Sequence, residues 1–226
     1  MVITENIIVS DIRNMITSGN PPVDFKIEES QIRYWIYQTV AMFKAQSIQK
    51  RKDITDDWVQ TISCLDLEQA DKSECCEIET GCSILRTTEL PRSIETNGDN
   101  NYLRVTDMMG NSIPKTTYLQ AIYASHGKYT KHKVMWFYKN YRIYIINNDQ
   151  LSKINVDLLA ENPSDLINFV NCDGSTCYSY DSPFPCSMQM ANDVVSYIVK
   201  NKALPFLQIP QDTTNNTSND LESTKK

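Results

Sequence analysis

QIRYWIYQTVAMF at residues 31–43 and WVQTISCLDL at residues 58–67 stand close together in the chain and follow different periods. In the first, Ile32, Trp35, Ile36, Val40 and Phe43 recur at three- and four-residue intervals, the stripe of an amphipathic helix. In the second, Trp58, Gln60, Ile62 and Cys64 share one parity and Val59, Thr61, Ser63 and Leu65 the other, as in a strand. The change of period between Arg51 and Trp58 therefore divides a helical front end from a β-rich middle. Glu28 and Glu29 lie at the positive end of the helix and Lys50, Arg51 and Lys52 at its negative end, so the charges complement the macrodipole. A helix from Glu28 to Arg51 would be about 36 Å long at 1.5 Å per residue.

Upstream, Ile8, Ile12, Met15 and Ile16 predict a short first helix after Thr4-Glu5-Asn6, closed by Gly19 and the Pro21-Pro22 pair. Downstream, strands are predicted at 83–88, 102–108 and 113–123, separated by Pro91, the Asn97-Gly98-Asp99-Asn100 turn and Gly110-Asn111. Lys133 to Tyr138 and Tyr141 to Ile146 flank Lys139-Asn140 and read as a hairpin, and Ile154 to Leu159 adds a further strand. Asn162-Pro163-Ser164 then opens a structured loop region. Met190, Val194, Val195, Ile198 and Val199 define a last helix that should end at Pro205. The predicted class is α+β: an N-terminal helical hairpin with a long helix, an antiparallel β unit, a C-terminal helix and an extended polar tail. The expected boundaries are 1–53, 54–186, 187–206 and 207–226, the last a flexible tail or a docking arm.

A chain of 226 residues can bury roughly 70% of its unfolded surface and needs no staple to fold. The 22 basic and 28 acidic residues give a net charge of −6, and no basic run exceeds Lys50-Arg51-Lys52, which argues against tight binding to a phosphate backbone. A negative wall would still let a duplex slide past without sticking. No apolar run approaches the roughly 18 residues needed to span a bilayer, and the N-terminus lacks a basic signal-peptide region. A protein that stays in a cytoplasm, with no membrane partner, is the expectation.

Catalytic signatures are missing from the sequence. His126 and His132 are the two histidines and fall among Lys128, Lys131 and Lys133 in a polar turn. Gly127-Lys128 lacks the rest of a phosphate-cradling loop, and the adjacent pairs Glu28-Glu29 and Asp56-Asp57 suit helix starts better than acid-base work. No cofactor is implied. Seven cysteines are an odd number in a chain too long to depend on a disulfide framework, so they read mostly as reduced thiols. Cys75, Cys76, Cys82, Cys172, Cys177 and Cys186 cluster, and four thiolates can close a tetrahedral zinc site. The clusters lack C-x2-C knuckles and a nearby histidine, so thiols acting as small hydrophobes are preferred, with a zinc- or thiol-containing interaction module as the alternative. Trp136, Phe137, Tyr138, Tyr141 and Tyr144 read as sheet core and cross-strand ladder rather than a base-stacking platform.

The order of parts carries a resemblance. A short helix, a Pro-Pro break, DFKIEESQIRYWI at 24–36, CCEI at 75–78, GCSILR at 81–86 and Pro183-Phe184-Pro185 before a last helix follow one another. This pattern, over residues 5 to 210, resembles the portal-proximal ring, or head-to-tail connector, proteins of crAss-like bacteriophages. The resemblance implies a non-catalytic virion protein forming a closed, dodecameric ring beneath the portal, with genomic DNA passing through the lumen. It implies the portal and adjacent tail ring proteins as partners. By position, the helix around Ile32, Trp35, Ile36 and Phe43 would pack within the subunit and against a neighbouring copy, and the tail would engage the portal or the next ring.

Overall fold

The computed structural model describes residues 2–17, 19, 27–50, 54–70, 84–96, 99–100, 102–124, 127–148 and 150–207. Helix α1 (Glu5–Thr17) buries Ile8, Val9 and Ile12, one stripe of its surface. Helix α2 (Glu29–Gln49) buries Ile32, Trp35, Ile36 and Val40, and with them Thr39 and Lys44. The Pro21-Pro22 break lies outside the described residues.

Strand β1 (Gln60–Gln69) begins right after a 3-10 turn at Asp56–Trp58. It is followed by β2 (Leu85–Thr87), the short pair β3 (Glu95–Thr96) and β4 (Asp99–Asn100), then β5 (Tyr102–Thr106) and β6 (Ser112–Ile113). After helix α3 (Tyr118–Ala124) come β7 (Met135–Lys139), β8 (Arg142–Ile146) and β9 (Lys153–Leu158). Seven strands form one antiparallel sheet in the order β6-β5-β9-β1-β2-β8-β7. The segment after β6 then meets β7: Thr116 N–H donates to the Trp136 carbonyl at 2.7 Å and Trp136 N–H to the Pro114 carbonyl at 3.0 Å. This one bridge brings the two ends of the sheet together and curls it into a small barrel.

Period-two alternation fills the barrel. Ile154, Val156 and Leu158 of β9 point inward, as do Ile143 and Ile145 of β8 and Trp136 of β7, whose indole N–H donates to the Ile113 carbonyl at 2.9 Å. Phe137, Tyr144 and Ile146 have the opposite parity and form a second cluster beneath α3, where Phe137 and Tyr144 stack at 5.1 Å. The β7–β8 turn places Asn140 and Tyr141 at φ 51° and 59°, the left-handed pair of a tight hairpin.

Three expectations are corrected. The alternation in β1 breaks at a bulge between Ile62 and Leu65, where Cys64 has φ 57° and its N–H donates to the Asn155 side chain at 3.0 Å. One extra residue flips the parity, so Ile62 and Leu65 both reach the core. The strand expected at 113–123 is instead β6 followed by α3. Thr117 caps that helix by accepting the Gln120 N–H at 3.2 Å, and Tyr118, Ala121 and Ile122 face the Phe137 cluster at helical spacing. Finally, the last helix does not stop at Pro205. Helix α4 (Met188–Ile198), capped by Ser187, loosens into a π turn at Val199–Ala203 and resumes as α5 (Leu204–Leu207). The re-registered hydrogen bonds place Pro205 in a first turn, where its missing N–H costs little. Helices α1, α2 and α4 pack together over one side of the barrel.

Candidate assembly surfaces

Glu5, the first residue of α1, is 0% exposed. Its Oε1 accepts from Arg33 at 2.6 Å and from the Tyr37 hydroxyl at 2.5 Å, and its Oε2 accepts from the Tyr178 hydroxyl at 2.6 Å. Arg33 also donates to Asn6 and Glu29 and lies 4.1 Å over the Tyr180 ring. Burial, then the neighbouring Glu5 carboxylate, pushes both phenols above their ordinary range, so they remain protonated donors. Burial works against the charge on Arg33, but its bonds to Glu5 and Glu29 outweigh it and raise its pKa. The cluster ties α1, α2 and the loop before α4 together. Both carboxylate oxygens are occupied, so its geometry suits a structural lock.

The cysteines part company with the sequence reading. Cys64 and Cys172 form a disulfide with Cα atoms 5.1 Å apart across a separation of 108 residues. The bulge at Cys64 and the turn at 171–175 bring the pair together, and neither is visible as a spacing. Cys172 is therefore not a free thiolate for a metal. Cys177 is half-buried and Cys186 buried, the latter pushed up to about 11 chiefly by burial, so both are inert thiols near neutral pH. Cys75, Cys76 and Cys82 lie outside the described residues, as does His126, while His132 is exposed in the turn before β7. Among the described residues no group of three or more His, Cys, Asp or Glu side chains is placed to hold a metal ion. Lys44 is 0% exposed, with one long hydrogen bond to the Trp58 carbonyl at 3.4 Å, and burial lowers its pKa to about 8.

Of the residues expected at an interface between copies, Ile32 and Ile36 are 0% exposed and Trp35 is 8% exposed, so they belong to the core of the subunit itself. Phe43 is only partly covered. Its ring meets Tyr197 edge to face at 5.7 Å, on the wall of an open groove of about 640 Å³ between the end of α2 and the face of α4. Trp58 and Met190 complete the apolar lining, with Lys50, Lys200 and Asp193 at the mouth. This groove gathers positions 43, 58, 190 and 197 from three separate stretches, which is why the sequence reading found Phe43 alone. Large apolar side chains are also exposed elsewhere, at Met108 and Met109 and at Leu119, Tyr123 and Tyr129 on and after α3.

A family model described as phage tail ring protein 2 matches residues 7–221. The chain belongs to this family of crAss-like phage ring proteins. A search of curated proteins gives no match. The match runs through the helical layer, the barrel and the loop region alike, so the whole architecture is that of a ring protein, a component of the virion. No helix among the described residues is long and apolar enough to cross a membrane. Among the described residues, the groove and the exposed apolar turns are surfaces left open to a neighbouring molecule.

Proposed function

We propose that this ring protein is a non-catalytic connector subunit that forms a closed ring, a dodecamer, below the portal, joins capsid to tail and lines the channel through which the genome leaves. The family match over residues 7–221 carries the reading. Three features agree with it. The net charge of −6 would repel the phosphate backbone and let DNA slide without binding. The buried polar groups serve to fix elements rather than to act on a substrate. The groove at Phe43 offers a neighbour an apolar seat on a rigid helix pair, while Ile32, Trp35 and Ile36 hold that pair in place from within. Residues 207–226 act in this reading as the arm that reaches the portal or the adjacent tail ring.

The test is direct. The purified full chain, alone and mixed with its portal protein, is examined by native mass spectrometry and negative-stain microscopy. Closed rings of a single size, stacked coaxially on the portal, are expected. A strict monomer at high concentration that also ignores the portal would overturn the connector reading.

A further inference from the structure

The turn between β5 and β6 is held by its own hydrogen bonds. The Asp107 Oδ1 accepts the N–H groups of Met109 at 2.9 Å and Asn111 at 2.8 Å, and its Oδ2 accepts the Asn111 side-chain amide at 2.9 Å. Gly110 N–H donates to the Asp107 carbonyl and Asp107 N–H to the Asn111 carbonyl, both at 3.0 Å, with Gly110 in the left-handed region at φ 86°. These bonds, that of the Asn111 side chain first, hold the Asp107 carboxyl below its usual range. What this order displays is apolar: Met109 is 90% exposed and Met108 47%.

The groove offers the complement. Trp58, 6% exposed, lines it beside Phe43, Met190 and Tyr197. Methionine side chains adapt to irregular aromatic walls of the Phe43, Tyr197 and Met190 kind. Lys50 and Lys200 at the mouth suit the Asp107 carboxylate beside the two methionines, with Asp193 the one opposing charge.

Strand register shows that one chain cannot make this contact with itself. Leu158 of β9 pairs with Gln60 and with Tyr102, whereas Asn155 pairs with Thr106. Trp58 precedes Gln60 and Asp107 follows Thr106, so groove and turn lie off opposite ends of the strands. Two complementary patches at opposite ends of one subunit are what a head-to-tail ring requires.

We infer that the Met108-Met109 turn of each copy seats in the α2–α4 groove of the next, its methionines against the Phe43, Tyr197 and Met190 wall and Asp107 toward Lys50 and Lys200. The inference rests on the ring reading and adds the contact to it. A photoreactive benzophenone amino acid at position 109 of the full chain, in a mixture of isotopically heavy and light protein, tests it. Heavy-to-light products joining position 109 to 42–50 or 188–201 are expected. Met109→Asp should weaken self-association roughly 30-fold, as for the loss of a hot spot, and leave the thermal midpoint of the subunit unchanged because the side chain is exposed. Rings whose crosslinks from position 109 fall elsewhere, or that form equally well with Met109→Asp, would overturn the contact and leave the ring standing. A benzophenone at Tyr197 that captures residues 208–226 instead of the turn would do the same. A chain that yields no heavy-to-light product at any concentration, with or without portal, removes both.

Discussion

The barrel and the helical layer of this subunit are stabilised in different ways. Inside the barrel Ile62, Val105, Trp136, Ile145, Ile154 and Val156 are all buried, and among the described residues no charged one is classed as buried with them. The helical layer buries an equally apolar stripe but adds two charge-bearing side chains, Glu5 and Lys44, each 0% exposed. Apolar burial is non-directional and tolerates any filling of the right volume. A buried carboxylate with three side-chain donors specifies one arrangement of α1, α2 and the loop before α4 and fails when any partner is lost. The contrast shows how a ring subunit can keep a robust body while fixing the helices that present its groove.

The sharpest way to break this comparison is Glu5→Ala, which leaves Arg33 without its buried partner and both phenols without an acceptor. A loss of about 4 kcal/mol in urea unfolding is expected, and a loss below about 1 kcal/mol would show that the cluster is not a lock. In the barrel, Ile145→Ala should cost about 3 kcal/mol through lost burial and the residual cavity. That cost should be the same at pH 6 and pH 9, because no titrating group is involved; a pH-dependent cost would blur the distinction.

Lys44 gives the smallest effect and the opposite sign. Burial lowers its pKa to about 8, against roughly 10.4 for an unfolded lysine. Between those values the unfolded chain holds a proton that the folded chain has released, so this group makes stability rise as pH climbs from about 8. Cys186, pushed up to about 11, opposes the rise above about pH 9, where an unfolded thiol has already ionised. The window for Lys44 is therefore pH 8 to 9. Lys44→Met should raise stability by about 2 kcal/mol at pH 7 by removing a nearly unpartnered buried charge, and should flatten the profile across that window. Unfolding curves at pH 7, 8 and 9 check both outcomes, and a destabilised variant would mean that the ammonium is better satisfied than one 3.4 Å hydrogen bond suggests.

Both halves were legible in their periodic segments. Alternation in β7, β8 and β9 reports their two faces directly, and the helical stripes of α1, α2 and α4 are equally plain. Legibility failed where tertiary context overrode local pattern. The β-prone run Ile113 to Tyr123 became α3 because Phe137 and Tyr144 needed a cover, and the bulge at Cys64 reversed a parity that the sequence displays without interruption. The Cys64–Cys172 pair spans 108 residues and leaves no local trace. The candidate surface suffered most. The stripe Ile32, Trp35 and Ile36 marks burial without saying whether the cover is intramolecular or a second copy, and the groove around Phe43 exists only after α4 and Trp58 are in place.

The central claim is that this chain is a ring-forming component of the phage particle. Cryo-electron microscopy of the intact virion tests it most directly. The account predicts one closed ring of identical copies of this fold on the tail axis, barrel and helical layer alternating around the lumen, with the DNA channel through its centre. A particle that lacks the chain, or that carries it as a single copy off the axis, would contradict the account.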